Sequence, residues 1–250
     1  MLRKEIISST TKSIEVRSAQ YAPLALWSDI RGPKHFVQFY QSDTFLVHSI
    51  ADFVADGLKA GETCIVAGTD KHLKMVESVL SQDESLDGLR ESEFFVIVDA
   101  HEALSQIMSG DMPDEHRFRD LVEPLLIKAS KRGGGIRIYG ELVQILADEG
   151  NSDASLQLEA LWNRLRIDYV FALYCAYSTN GFAGIPQKNR VHLCDEHAVV
   201  IPDESYTTLK TGTARLSKIA SLQHRIRELE AELADINAER NPRPSLRIGK

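Results

Sequence analysis

The chain has 250 residues, 43% hydrophobic and 26% charged, enough for one full α/β domain plus an appendage and an ordinary globular balance. A net charge of −7 and a pI of about 5.6 argue against a surface built broadly for nucleic acid, although a local basic patch stays open. No stretch approaches the roughly 18 apolar residues of a membrane helix. Met1 to Ser18 has neither the apolar core nor the cleavage site of an export signal, so a cytoplasmic protein is expected. Cys64, Cys175 and Cys194 are then read as free thiols rather than a disulfide framework.

Residues 1–32 read as a partly flexible leader. From His35 the pattern changes: His35 to Tyr40 is an aromatic, β-branched run and predicts a strand. Ser42 or Asp43 can cap the helix that follows, which places Phe45, Leu46, Ile50, Phe53, Val54 and Leu58 on one face. Cys64 to Gly68 predicts a second strand and Asp70 to Leu80 a second helix. Phe94 to Val98 predicts a strand ending at Asp99, and Ala100 to Met108 a helix. Asp114 to Arg132 predicts an amphipathic helix with a kink at Pro124, stopped by Gly133–Gly135. Ile136 to Tyr139 is a strand, Leu142 to Asp148 a short helix, and Asp153 the expected cap of a helix to Leu165. Val170 to Tyr177 is the last strong strand.

Strands that alternate with helices and are apolar on both faces predict a three-layer α/β fold, with a mostly parallel sheet between two helical layers. Ligands in such sheets sit outside the carboxyl ends of the strands. That draws attention to Tyr40 with Asp43, Gly68 with Thr69, Asp99, Gly140 with Glu141, and Tyr177 with Ser178.

The C-terminal stretch has another period. Ile219, Ile226 and Leu233 fall at heptad position a, and Leu222, Leu229 and Ile236 at d, which predicts a dimerising coiled-coil helix over 211–240. Arg225 at g can then meet Glu230 at e of a second copy. The plain alternative is an amphipathic helix packed on its own domain. Residues 241–250 read as a disordered tail.

The chemical motifs are sparse. The turn Gly68 to His72 sits where a phosphate loop would, but it has one glycine and no Gly-Lys-Ser/Thr triplet. A nucleotide held by Thr69, Lys71 and Asp99 without hydrolysis stays an alternative. His35, Cys175, Cys194 and His197 are residue types that bind zinc or another borderline metal, although their spacing matches no closed zinc module. Whether they meet, and whether a metal is bound, stays open. Cys64 reads as core, and Cys175 as core or site. Glu141 at a strand end and Glu159 in a helix can be paired acids, but Glu159 reads rather as a surface residue. No nucleophile elbow or catalytic order is visible, so no enzyme is expected; a Cys194/His197 pair would be the route to one.

Four segments carry a family resemblance: His35 to Asp43, Gly57 to Glu62, Leu173 to Ser178, and Cys194 to His197 running into Ile201-Pro202 and Ser205-Tyr206. Together, over roughly residues 33–210, they resemble the MEDS domain, the methanogen/methylotroph sensory domain. The resemblance implies a fold similar to RecA/KaiC-type domains that have lost the phosphate loop. It also implies sensing of small hydrocarbon derivatives in prokaryotic signal transduction. On the matching positions it points to His35, Tyr40, Cys175 and His197. Asp43, Glu141 and Tyr177 complete the expected ligand-binding set. No kinase, receiver or helix-turn-helix segment is legible. The expected output is therefore a homodimer or a separate signalling partner, a kinase or a transcription regulator. A scaffold that senses nothing is a further alternative.

Overall fold

The computed structural model describes residues 34–88, 91–207, 209 and 211–240. The expected leader and tail lie outside them. The chain divides into two units after residue 208.

In the first unit, β1 (His35–Tyr40) leads into α1 (Asp43–Lys59), capped by Ser42, whose side chain accepts the Phe45 N–H. The face read from helical spacing, Phe45 to Leu58, is buried as expected. β2 (Thr63–Gly68), α2 (Asp70–Leu80), β3 (Phe95–Asp99) and α3 (Ala100–Ile107) follow. A short antiparallel hairpin, β4 (Met108–Ser109) and β5 (Met112–Pro113), comes next and carries no apolar run that would announce it. α4 (Glu115–Ser130) continues through Pro124. The glycines after it are required: Gly134 has φ +77°, and a Cβ there would lie 2.4 Å from the Gly61 carbonyl oxygen.

The rest of the unit is β6 (Ile136–Gly140), α5 (Leu142–Asp148), α6 (Ser152–Asp168), β7 (Ala172–Ser178), α7 (Thr179–Gly184), α8 (Gln187–Asp195), β8 (Val199–Ile201) and α9 (Glu204–Thr207). The order across the sheet is β3-β2-β6-β7-β1-β8, and every neighbouring pair is parallel. Alternate side chains of each strand face opposite layers. Phe36, Val66, Tyr139 and Tyr174 pack with α1 and α2. Val37, Ile65, Ile138, Leu173 and Cys175 pack with α3 to α6. The result is the three-layer α/β fold.

Three local expectations change. β3 is the sheet edge, so its run is not buried on both faces and Ile97 is 41% exposed. The last strong strand begins at Ala172, because Val170 precedes the parallel register with β1 and is 75% exposed. The cap of α6 is Asn151, whose side chain accepts the Ala154 N–H at 3.2 Å, while Asp153 sits in the first turn and accepts from Asn189 Nδ2 at 2.9 Å.

The second unit contains α10 (Gly212–Arg240), whose start is capped by Thr211 accepting the Ala214 N–H at 3.1 Å. The six seam residues lie on this helix, each between 39% and 58% exposed. Arg225 pairs along its own helix with Glu228 at 3.1 Å. Among the described residues no helix is long and apolar enough to cross a membrane.

Candidate functional site

The expected ligand-binding residues separate into two groups, one at the carboxyl ends of the strands and one buried beneath a face of the sheet. The first lines a cleft of about 510 Å³ at the carboxyl ends of the strands. Its centre is the gap between β2 and β6, where the chain, having wound outward from β2 to β3, turns back to the other side. Glu141, directly after β6, is buried there and accepts the Thr69 N–H at 2.8 Å, at the start of α2. It also holds His72 Nδ1 at 2.6 Å. Tyr40 from the end of β1 and Ser178 from the end of β7 close the sides. Asp43 reaches in from α1, ion-pairs with Lys71 and lies 3.5 Å from His72 Nε2.

This charge arrangement sets the protonation states. Burial pushes His72 down, but the hydrogen bond and charge of Glu141 and then Asp43 outweigh it, and the imidazole is held above its ordinary value. The Lys71 hydrogen bond holds Asp43 below the usual carboxylate range. Burial, with the charges of Glu141, Asp148 and Asp43, raises Tyr40, so its phenol stays a neutral donor. Asp43, Glu141, Asp148 and Glu149 outnumber Lys71, His72 and His101 along the walls. Such a lining repels phosphate. The groups expected for a nucleotide are also engaged: Thr69 with Glu141, Lys71 with Asp43, and Asp99 as the cap of α3, accepting the Glu102 N–H at 2.8 Å.

The second group is buried between β1, β7, α6 and the turn after α8. Glu159 lies at its centre with no exposed surface. Its Oε2 is 3.2 Å from His35 Nε2 and 3.5 Å from His197 Nε2. Cys175 Sγ is 3.5 Å from the same Oε2 and 3.5 Å from His35 Nε2. The two imidazole rings lie 4.0 Å apart, centroid to centroid. Tyr177 donates its phenol hydrogen to Glu159 Oε1 at 2.9 Å and contacts Ser155 Oγ at 2.9 Å.

The surroundings define both tautomers. His197 Nδ1 is 2.7 Å from the Leu193 carbonyl, which can only accept, so this nitrogen carries hydrogen. Asn163 donates its amide to the Glu196 carbonyl at 3.1 Å, which turns its oxygen toward His35 Nδ1 at 2.9 Å. His35 therefore donates from Nδ1 too, and both Nε2 atoms point at Glu159. Burial raises Glu159, but the charges and hydrogen bonds of His197 and His35 outweigh it and hold the carboxyl well below its ordinary value. Burial and then the Glu159 charge push the Cys175 thiol far up.

Residues 34–189 match the sequence profile of MEDS, the methanogen/methylotroph, DcmR sensory domain. The chain belongs to the MEDS family. MEDS is a sensory domain family, and a sensory role follows for this chain. The matched stretch ends inside α8, short of the residue 210 to which the resemblance was expected to reach, so His197 and β8 lie beyond the match. No curated protein matches the chain.

Set against the expected site, the MEDS fold brings His35, Cys175 and His197 together and leaves Cys194 out, half-buried on α8. Glu159 is not the surface residue expected. The register of α6 turns it inward with Ser155 and Trp162, and both of those, at i−4 and i+3, are buried. That spacing was the available signal. His35 opens β1, so it sits at the amino end of the strand, away from the cleft that Tyr40 lines at the other end. Tyr177 faces the buried cluster, not the cleft. His72 was missed; its place in the first turn of α2, three residues after the Thr69 cap, aims it at Glu141.

Proposed function

We propose that this sensory domain binds a small organic molecule, uncharged or cationic, in the cleft at the carboxyl ends of the strands, and that it reports through a homodimer formed by α10 or through a partner protein. The reading is of a binding module and not of a catalyst. The observation that carries it is the cleft itself, with a phenol, a buried carboxylate and a raised imidazole converging on one space at the winding reversal of a parallel sheet. The excess of carboxylates favours amines, alcohols and other hydrocarbon derivatives over phosphate esters.

A route to the output is available within the first unit. Glu204 on α9 accepts the Ser42 N–H at 2.7 Å and the Gln41 N–H at 2.9 Å. It thus ties the segment preceding the second unit to the turn that follows Tyr40. A ligand that moves this turn changes the footing of that segment, and it shifts the equilibrium only through different affinity for the two states.

The test is a thermal-shift screen of the full chain against short alcohols, aldehydes, amines and halocarbons. A ligand at a hundred times its dissociation constant stabilises by about 2.7 kcal/mol, or about 5–11 °C in a domain of this size. Tyr40→Phe should lower that shift for the same compound. A panel that leaves the melting temperature unmoved refutes the reading.

A further inference from the structure

We infer that His35, Glu159, Cys175 and His197 form a four-coordinate site for a borderline divalent transition metal of the zinc or ferrous type. The site lies apart from the cleft, buried beneath one face of the sheet rather than at the carboxyl ends of the strands, and stands whether or not the cleft binds a ligand.

The first support is geometric. Ligand bonds of about 2.0–2.1 Å to imidazole nitrogen, 2.0–2.2 Å to carboxylate oxygen and 2.3 Å to thiolate sulfur require tetrahedron edges of about 3.3–3.6 Å. Four of the six edges, those through Glu159 Oε2 and His35 Nε2 to their neighbours, are 3.2, 3.5, 3.5 and 3.5 Å. All four donor atoms lie within 4.8 Å of one another. Four edges thus already stand at ligand separation, from side chains on three secondary-structure elements and a turn that the fold holds independently.

The second support is orientation. Both histidines have their Nδ1 hydrogens taken, by the Leu193 carbonyl and by Asn163, which directs both Nε2 atoms inward. Glu159 is steered by Tyr177 at its other oxygen. Partners of this kind fix tautomer and ring angle in metal sites. His197 Nε2 is withdrawn from water and faces Glu159 Oε2 at 3.5 Å.

The third support is charge. Glu159 carboxylate and Cys175 thiolate together carry two negative charges, and a divalent ion makes the loaded site neutral, as a fully dry interior requires. Loading releases to solvent both the Cys175 proton, as the metal–sulfur bond forms, and the imidazolium Nε2 proton that faced Glu159, as the metal–nitrogen bond forms. One sulfur, two imidazoles and one carboxylate select a borderline ion; calcium and magnesium need six or more oxygens.

The experiment uses the full chain stripped with a chelator and titrated anaerobically with cobalt(II) and, separately, zinc(II). One equivalent of cobalt should give the strong visible bands of four-coordination and a near-ultraviolet thiolate band. Cys175→Ser should lose the thiolate band, His197→Ala should weaken binding at least tenfold, and Cys194→Ser should change neither. Because a core variant can fail to fold, X-ray absorption of the zinc-loaded, unmutated protein is the second measurement, with one sulfur and three nitrogen or oxygen scatterers expected. A folded wild-type chain that binds neither ion holds only an imidazolium–carboxylate pair, and the inference falls. It falls equally if the thiolate band survives in Cys175→Ser, or if the zinc shell contains two sulfurs or none.

Discussion

Tyr139 and Tyr177 are both buried, at 1% and 0% exposure, and the same substitution should move stability in opposite directions at the two. Tyr177 donates to Glu159 Oε1 at 2.9 Å. Tyr177→Phe keeps the ring but leaves one oxygen of a buried carboxylate without its donor. A hydrogen bond to a charged group contributes about 1.5–3 kcal/mol, so a loss of about 2 kcal/mol is expected, which lowers the melting temperature by about 4–8 °C. The Tyr139 hydroxyl is buried with no hydrogen-bond partner among the described residues. Tyr139→Phe therefore removes an unsatisfied polar group while retaining the edge-on contact with Tyr174 at 5.2 Å, and stability should stay level or rise. Urea denaturation of the two variants and wild type checks this, with an unchanged m-value showing that only stability moved. Equal losses in the two variants would refute the reasoning, because they would mean that the hydroxyls are not distinguished by their partners.

Three other outcomes are expected. His72 is held above its ordinary value of 6.5 in the folded state. Its contribution is fully present below the unfolded value and is lost as pH rises through the higher folded one, so wild type should lose stability relative to His72→Gln as pH rises above the ordinary value of 6.5; parallel pH curves would contradict the Glu141–His72 pairing. Leu229→Asp places a charge in the middle of the α10 seam and should convert a dimer to a monomer in light scattering at micromolar concentration, with the circular dichroism of the first unit retained. Arg137 is buried at 6% exposure, bonds the Phe53 carbonyl at 3.0 Å and pairs with Glu62. Arg137→Ala should cost about 3–5 kcal/mol in urea melts, and Glu62→Gln distinctly less, since Glu62 is partly open to solvent.

Local order was legible because it depends on short-range periodicity. The spacing of Phe45 to Leu58 marks the buried face of α1, and Asp70–Leu80 and Leu142–Asp148 match their helices end to end. The elements after Ser178 were not, since Thr179–Gly184 and Gln187–Asp195 carry little apolar periodicity and are held by packing against the rest of the unit. Cap choice at α6 was also undecidable locally: Asn151 and Asp153 are both good capping residues, and the Asn189 contact from α8 draws Asp153 away.

By itself the sequence determined the alternation of strands and helices, and hence the parallel three-layer fold, together with the heptad seam of α10. It even held the parity that separates His35 from Tyr40: five residues apart on one strand, they must face opposite layers. Only the tertiary structure decided which side chains meet. His35 and Cys175 are 140 positions apart and reach one another because β1 lies beside β7, with Val37 in register with Cys175. Glu159 joins them because helix α6 packs on that face, where its charge has no solvent and must find partners. Sequence spacing cannot encode such a meeting, since it is set by the order of strands across the sheet and by the cost of burying a carboxylate alone.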